Sequence, residues 1–166
     1  IPEIPLVVDR LEDHLHITEF ERPHDRDLAQ HADWLDLMCH TAGEALEVSK
    51  TKVFLKRRQR PSGAQQYSRL GEAGYELLIR EGGIRLLLNL SDYVDTGLFL
   101  DHRITRSMVR DEVHQRRFLN LFGYTGSFTV YAADGGASQT TTVDTSRNYL
   151  DWAQRNLDLN GLDGEQ

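Results

Sequence analysis

A glycine-bounded turn and an acid placed 21 residues later are the part of this chain best suited to chemistry on a small molecule. Gly123-Tyr124-Thr125-Gly126 follows the apolar run Phe118–Phe122, and Asp144 closes a second run, Ser138–Val143. A turn at the carboxyl end of one strand, with an acid at the end of the next, is where strand–helix–strand units hold their ligands. There a carboxylate can accept the hydroxyl hydrogens of a ribose. The same two features fit either a dinucleotide or a sulfonium-bearing adenosyl cofactor.

The residues of the turn weigh between these. A pyrophosphate must approach bare backbone, which the pattern G-x-G-x-x-G permits by removing side chains. Tyr124 stands where the central glycine of that pattern would be needed. Its ring is expected to obstruct a pyrophosphate, whereas S-adenosylmethionine carries no phosphate and asks only for a turn, a ribose acceptor and carboxylates. A purely structural turn, its glycines serving packing alone, is the plain alternative.

The remaining reactive side chains are dispersed. The lone cysteine, Cys39, excludes an internal disulfide and a cysteine-rich metal cluster and is consistent with a reducing, cytoplasmic setting. It falls on the inner face of a long helix as a packing residue. The seven histidines form no metal-ligand spacing; His14 and His16 share one side of a strand and the others are scattered. Trp34 and Trp152 read as packing residues on helices.

Net charge is −7, but it is unevenly placed. Residues 1–49 hold 12 acids and 3 bases, whereas residues 50–71 hold seven bases, Lys50, Lys52, Lys56, Arg57, Arg58, Arg60 and Arg69, and no acid. A basic island in an acidic chain suits local phosphate contact, the candidate being RNA; a solvated strand and loop is the alternative.

The elements that must position these residues follow from periodicity. Leu6–Val8 and Leu15–Ile17 read as two strands of a hairpin. Apolar spacings of three and four from Leu28 to Leu46 predict a helix within residues 25–49. Val53–Leu55 reads as a strand, and 75–79 with 84–88 as a hairpin around Gly82-Gly83. These make a small α+β domain, strand-strand-helix-strand-strand, over residues 1–90.

Residues 91–166 then read as a helix near 101–114, a short buried strand at 118–122, a helix at 127–134, a strand at 138–143 and a helix at 146–160. Gly161 is placed as its left-handed stop. Alternation of strand and helix marks the start of a doubly wound α/β sheet.

Four motifs together resemble one family: Asp95-Thr96-Gly97-Leu98-Phe99-Leu100-Asp101-His102-Arg103; Leu119-Asn120-Leu121-Phe122-Gly123-Tyr124-Thr125-Gly126-Ser127; Thr141-Thr142-Val143-Asp144-Thr145-Ser146; and Tyr149–Leu157. Phe20-Glu21-Arg22-Pro23 and Phe54-Leu55-Lys56-Arg57-Arg58-Gln59-Arg60 extend the likeness over nearly the whole chain. The family is the bacterial 23S ribosomal RNA guanine methyltransferases that fuse two methyltransferases in one chain, and the match is to the C-terminal, 7-methylguanosine-forming half. A related family methylating cytosine C5 in the same RNA looks similar through the D-x-R and Y-T-G motifs but lacks the Phe54–Arg60 string.

The resemblance implies a Rossmann-like class I methyltransferase using S-adenosyl-L-methionine. It implies that Asp101 attracts the ammonium or sulfonium charge, that Arg103 pairs with the methionine carboxylate, and that Asp144 holds the ribose. Phe99, Phe122, Gly123, Tyr124, Thr125 and Gly126 would line the site, and Ser146 would cap the following helix or approach the adenine. It implies 23S ribosomal RNA as partner; because guanine N7 loses no proton on methylation no catalytic base is named, and the scattered histidines suggest no metal.

The family pattern continues past Gln166 and places a second methyltransferase before Ile1. The chain is accordingly expected to be a fragment, with a truncated methyltransferase domain at 91–166, weak cofactor affinity and no methyl transfer unaided. An RNA-binding module without catalysis is the reading from another class.

Overall fold

The computed structural model describes residues 4–58, 73–93 and 95–162. The chain divides into two compact units, residues 1–75 with 90–94, and residues 76–89 with 95–166.

In the first unit, β1 (Leu6–Leu11) and β2 (His14–Phe20) form the expected antiparallel hairpin, with Leu11 opposite His14. Helix α1 (Leu28–Ala45) then carries the chain across, and β3 (Val53–Arg58) returns parallel to β2. A parallel partner requires such a crossover, because a tight turn can only reverse direction. The start of α1 is set by a capping box: the Asp27 carboxylate accepts from the Gln30 amide at 2.8 Å, and the Gln30 side-chain oxygen accepts from the Asp27 amide at 3.1 Å. Strand β2 is central and buried from His14 to Glu19. Leu15, Ile17 and Val48 form its core, with Cys39, Ala42, Val53 and Leu55 packed against them, which places the cysteine as expected.

The hairpin β4 (Glu76–Glu81) and β5 (Ile84–Asn89) turns through Gly82 (φ 58°) and Gly83 (φ 89°). Positive φ at both central residues is the geometry that matches strand twist and that glycine adopts without strain. The expected boundary at residue 90 would put this hairpin with β1–β3, but it pairs with neither and belongs to the second unit.

Helix α4 (Arg147–Asp158) supplies the physical reason. Its side chains complete the open edge of β5. The Leu87 amide donates to Asn156 Oδ1 at 2.8 Å, and the Leu87 carbonyl accepts from Trp152 Nε1 at 2.9 Å. Just beyond the helix, Asn160 does the same for Arg85, accepting its amide hydrogen and donating to its carbonyl. Edge groups that would otherwise invite another strand are thereby satisfied.

The rest of the second unit follows the predicted order. Helix α2 (Arg103–Glu112) starts after a single 3-10 turn at Leu100–His102; then come β6 (Arg117–Leu121), α3 (Ser127–Asp134) and β7 (Gln139–Val143), with β6 and β7 parallel. Gly161, at φ 66°, follows α4 as predicted, and the Leu162 amide donates to the Leu157 carbonyl.

Strand β6 is less buried than expected: alternate residues Leu119 and Leu121 are 59% and 56% exposed. Successive side chains point to opposite faces, and α3 covers only the face carrying Phe118 and Asn120.

A buried polar cluster ties the hairpin to α2 and α3. Arg106, 1% exposed, donates through Nε and Nη2 to both oxygens of Glu81, at 2.8 and 3.0 Å. The Tyr131 hydroxyl donates to Glu81 Oε1 and to its carbonyl, both at 2.9 Å. Burial first, and then the bond to Glu81, push the Tyr131 hydroxyl up to about 12.

A candidate cofactor site at the ends of the parallel strands

The turn between β6 and α3 is built on Asp144, which directly follows β7. Its Oδ2 accepts from the Tyr124 amide and its Oδ1 from the Ser146 amide, both at 2.9 Å. One carboxylate thus holds the turn after β6 to the start of α4. Each oxygen has a second lone pair left for a ligand hydroxyl.

Phe122 (φ 56°) and Tyr124 (φ 49°) both sit in the left-handed region on either side of Gly123. Side chains rarely adopt it, at about 1–3 kcal/mol each, and such strain gathers at ligand sites. Phe122 is 89% exposed in the turn.

The glycines have an internal explanation. A Cβ on Gly123 would lie 2.3 Å from Thr142 Cγ2, and one on Gly126 (φ 72°) would lie 2.5 Å from Ala153 Cβ. Beneath Gly123, Asn120 donates to Thr129, whose hydroxyl bonds that of Thr142 at 2.7 Å. Both glycines are therefore required by packing against β7 and α4, whatever the turn binds.

Thr125 joins the turn to the segment before α2. Its hydroxyl, wholly buried, donates to the Gly97 carbonyl at 2.6 Å, and its own carbonyl accepts from Asn156 Nδ2 at 2.9 Å. Gly97 (φ 103°) in turn lies against Trp152, where a Cβ would come within 2.5 Å of the indole. This brings the Phe99 ring to 5.5 Å from that of Tyr124, which meets Tyr149 edge-on at 4.6 Å. Arg106 holds the Phe99 carbonyl through Nη1 at 2.9 Å.

Asp101 follows in the 3-10 turn, its side chain 80% exposed and 4.0 Å from His102 Nε2. Arg103 opens α2, exposed. Ser146 occupies the position before α4, yet its hydroxyl makes no capping bond; only its backbone amide and carbonyl are used. Capping by that side chain, expected from sequence, is therefore not what holds the helix start.

These groups fit an adenosyl sulfonium cofactor: an acceptor for a ribose diol, an exposed carboxylate for a cation, an arginine for a carboxylate and aromatic rings between them. Asn156, Gly97 and Arg106 escaped sequence reasoning as site-building residues. Gly97 and Asn156 lie inside the motifs 95–103 and 149–157 but carry no local sign of a role, and nothing local marks Arg106.

The family model for S-adenosylmethionine-dependent methyltransferases matches residues 2–166. The chain belongs to this family. The ribosomal RNA large subunit methyltransferase K/L of Stutzerimonas stutzeri is 50% identical over all of this chain and 23% of its own length. The large subunit methyltransferase K of Neisseria meningitidis is 47% identical over all of this chain and 47% of its own length. The chain thus spans less than half of either relative. Among solved structures, SMU.776, described as a methyltransferase complexed with SAH, superimposes with a TM-score of 0.74 at 25% identity, over 96% of this chain and 39% of that one. The Methanocaldococcus jannaschii tRNA m1G37 methyltransferase shares the fold at a TM-score of 0.67 and 16% identity. The methyltransferase fold expected from sequence is the fold of this chain.

The described members of the basic island lie in the first unit, and three of them, Lys52, Lys56 and Arg57, have internal partners in ion pairs and hydrogen bonds. Lys52 pairs with Asp13, Lys56 donates to the Ser91 carbonyl, and Arg57 Nε donates to the buried Glu19 carboxylate at 2.8 Å. Burial holds the Lys56 ammonium below its ordinary range. Lys50 is exposed and Arg58 half-buried, while Arg60 and Arg69 lie outside the described residues. Among the described residues no cluster of histidine, cysteine or acidic side chains could hold a metal, and no helix is long and apolar enough to cross a membrane.

Proposed function

We propose that this chain contributes the methyl-donor site of an enzyme that methylates guanine N7 in 23S ribosomal RNA. The observation that carries the reading is the Asp144 carboxylate, which binds both the Tyr124 and Ser146 amides at the ends of two parallel strands. The relatives' names support a ribosomal RNA target. The N7 position rests on the motif resemblance.

S-adenosylmethionine, when bound, supplies an electrophilic methyl group on a sulfonium. In this reading Asp144 accepts the ribose hydroxyl hydrogens with its free lone pairs, and Asp101 offers negative charge to the cationic end. Arg103 pairs with the methionine carboxylate, bidentately where its fork can align. Phe99, Phe122 and Tyr124 exclude water from the reacting end.

Guanine N7 presents an in-plane lone pair and loses no proton on methylation, so no residue is assigned as a base. The work of the protein is alignment, which can contribute up to about 7–11 kcal/mol.

Calorimetric titration of S-adenosylhomocysteine into the chain and its Asp144→Ala variant tests the site. Binding by the parent and loss in the variant are expected; NAD binding instead would overturn the reading. Deleting the gene that encodes this chain is expected to remove one 7-methylguanosine from 23S RNA. Loss of a 5-methylcytidine would transfer the activity to cytosine.

A further inference from the structure

The Phe20-Glu21-Arg22-Pro23 motif is not absorbed by the cofactor site, and in the first unit it borders a cleft of its own. The cleft, about 210 Å³, is lined by Glu19, Arg22, His24, Arg26, His31 and Trp34, with Pro23 on its wall. Its floor is buried and polar: Glu19 is 2% exposed and His31 4%. His31 Nε2 gives its hydrogen to Glu19 Oε1 at 2.6 Å, and Arg57 Nε donates to the other oxygen at 2.8 Å. His31 Nδ1 is then left buried with no hydrogen-bond partner among the described residues. An unsatisfied buried ring nitrogen is costly and calls for an explanation.

The walls are flat and aromatic. The His24 ring stacks on His31 at 4.2 Å, and His31 stacks on Trp34 at 5.6 Å. The Arg26 guanidinium lies over the Trp34 ring at 4.4 Å. Arg22 and Arg26 line the cleft together with Glu19, whose carboxylate also accepts from Arg57 Nε. The neighbouring acids Glu21, Asp25 and Asp27 do not line the cleft, and Asp27 is committed to capping α1. Arginine side chains beside stacked rings are the chemistry of nucleotide capture, with guanidinium forks for phosphate oxygens and an indole face for a base.

We propose that this cleft binds one nucleotide of single-stranded RNA, its phosphate held by Arg22 and Arg26 and its base stacked on Trp34. Arg26 occupies the indole face in the free protein and turns onto the phosphate as the base replaces it. His31 Nδ1 meets a polar group of the nucleotide. The cleft therefore adds a defined contact to a unit in which Lys52, Lys56 and Arg57 of the basic island are engaged internally. The choice of RNA as the source of the nucleotide rests on the ribosomal RNA reading; the cleft chemistry does not.

The test uses the whole chain and three probes: a short single-stranded oligoribonucleotide, a nucleoside monophosphate and inorganic phosphate. Expected are an emission change at Trp34 with the oligoribonucleotide, absent in Trp34→Phe, and affinity about tenfold weaker in Arg22→Ala/Arg26→Ala, equivalent to about 1.4 kcal/mol. The mononucleotide should bind more weakly at the same site and phosphate more weakly still.

Unchanged oligoribonucleotide affinity in a folded double variant, or an unmoved Trp34 emission, overturns the proposal. So does tighter binding of the free mononucleotide than of RNA. Should the double variant lose its fold by circular dichroism, Arg22→Lys, which keeps the charge and loses the flat fork, is expected to show a partial loss, and full affinity in it would overturn the proposal. Adenosylhomocysteine binding separates the two readings. If it persists while RNA affinity ignores Arg22 and Arg26, the cleft alone fails. If it is absent while RNA affinity depends on them, the methyl-donor reading alone fails.

Discussion

Arg106 reaches Glu81 through two of its nitrogens and the Phe99 carbonyl through the third, all within 3.0 Å and nearly without solvent. One side chain therefore links the β4–β5 hairpin to the aromatic residue that faces Tyr124. Removing one member of such a pair leaves a buried charge uncompensated. Arg106→Met is expected to cost about 3–5 kcal/mol, read from the urea midpoint. Arg106→Lys should recover little, because an ammonium cannot reproduce the fork. A loss under 1 kcal/mol, about the value of an exposed pair, would show that the cluster is not needed.

Thr125→Val keeps shape and removes the hydroxyl that satisfies the Gly97 carbonyl. Leaving that buried acceptor bare is expected to cost about 1–3 kcal/mol. Adenosylhomocysteine binding should weaken as well, because the Phe99 segment is released from the turn. Thr125→Ser should restore both. A valine variant with parental stability and binding would show that the contact positions nothing.

Gly126→Ala meets two obstacles at once, a left-handed backbone and Ala153 Cβ at 2.5 Å. The strain term alone is about 1–3 kcal/mol. Adding Ala153→Gly should relieve the Cβ contact but leave the Ala153 Cα at 3.0 Å and the backbone cost, so thermal unfolding should show only partial rescue. Complete rescue would mean that φ at this residue carries no strain.

Buried His16 has its pKa lowered from 6.5 to about 4, first by burial and then by the charge of Lys56. The neutral ring is the folded form, so its stabilising effect is complete above pH 6.5 and is lost as pH falls from 6.5 towards 4. A displacement of this size corresponds to about 3 kcal/mol between those limits. The urea stability profile of the parent should therefore fall more steeply across this window than that of His16→Gln. Parallel profiles would place the ring in a wetter setting than the fold provides.

The exposed Arg155–Glu76 pair, at 2.6 and 2.8 Å, offers a contrast to Arg106–Glu81. Both side chains are in part solvated, so a double-mutant cycle should return no more than about 1 kcal/mol, declining with added salt. A coupling that survives high salt would mark the pair as structural.

The element order and the turn after β6 were legible because their signals are local. Spacings of three and four from Leu28 onward, paired glycines at 82–83, and an acid after a β-type run each act through the backbone within a few residues. Asp144 could be singled out because strand–helix–strand connectivity alone brings the end of β7 beside the turn after β6. The sequence by itself thus determined the kind of fold and the order of its elements, and set Asp144 beside the turn after β6.

Tertiary structure decided what side chains satisfy at long range. The β4–β5 hairpin went to the second unit because Asn156, Trp152 and Asn160 supply hydrogen bonds to the edge of β5, from residues 65 or more positions away. Lys52, Lys56 and Arg57 look alike in a basic run, but only the fold sets them against Asp13, the Ser91 carbonyl and Glu19. Gly123 and Gly126 read equally as ligand cradle or packing until Thr142 and Ala153 were placed against them. Periodicity reports which face of an element is buried, whereas the partner that meets each polar group there is chosen by packing between distant segments.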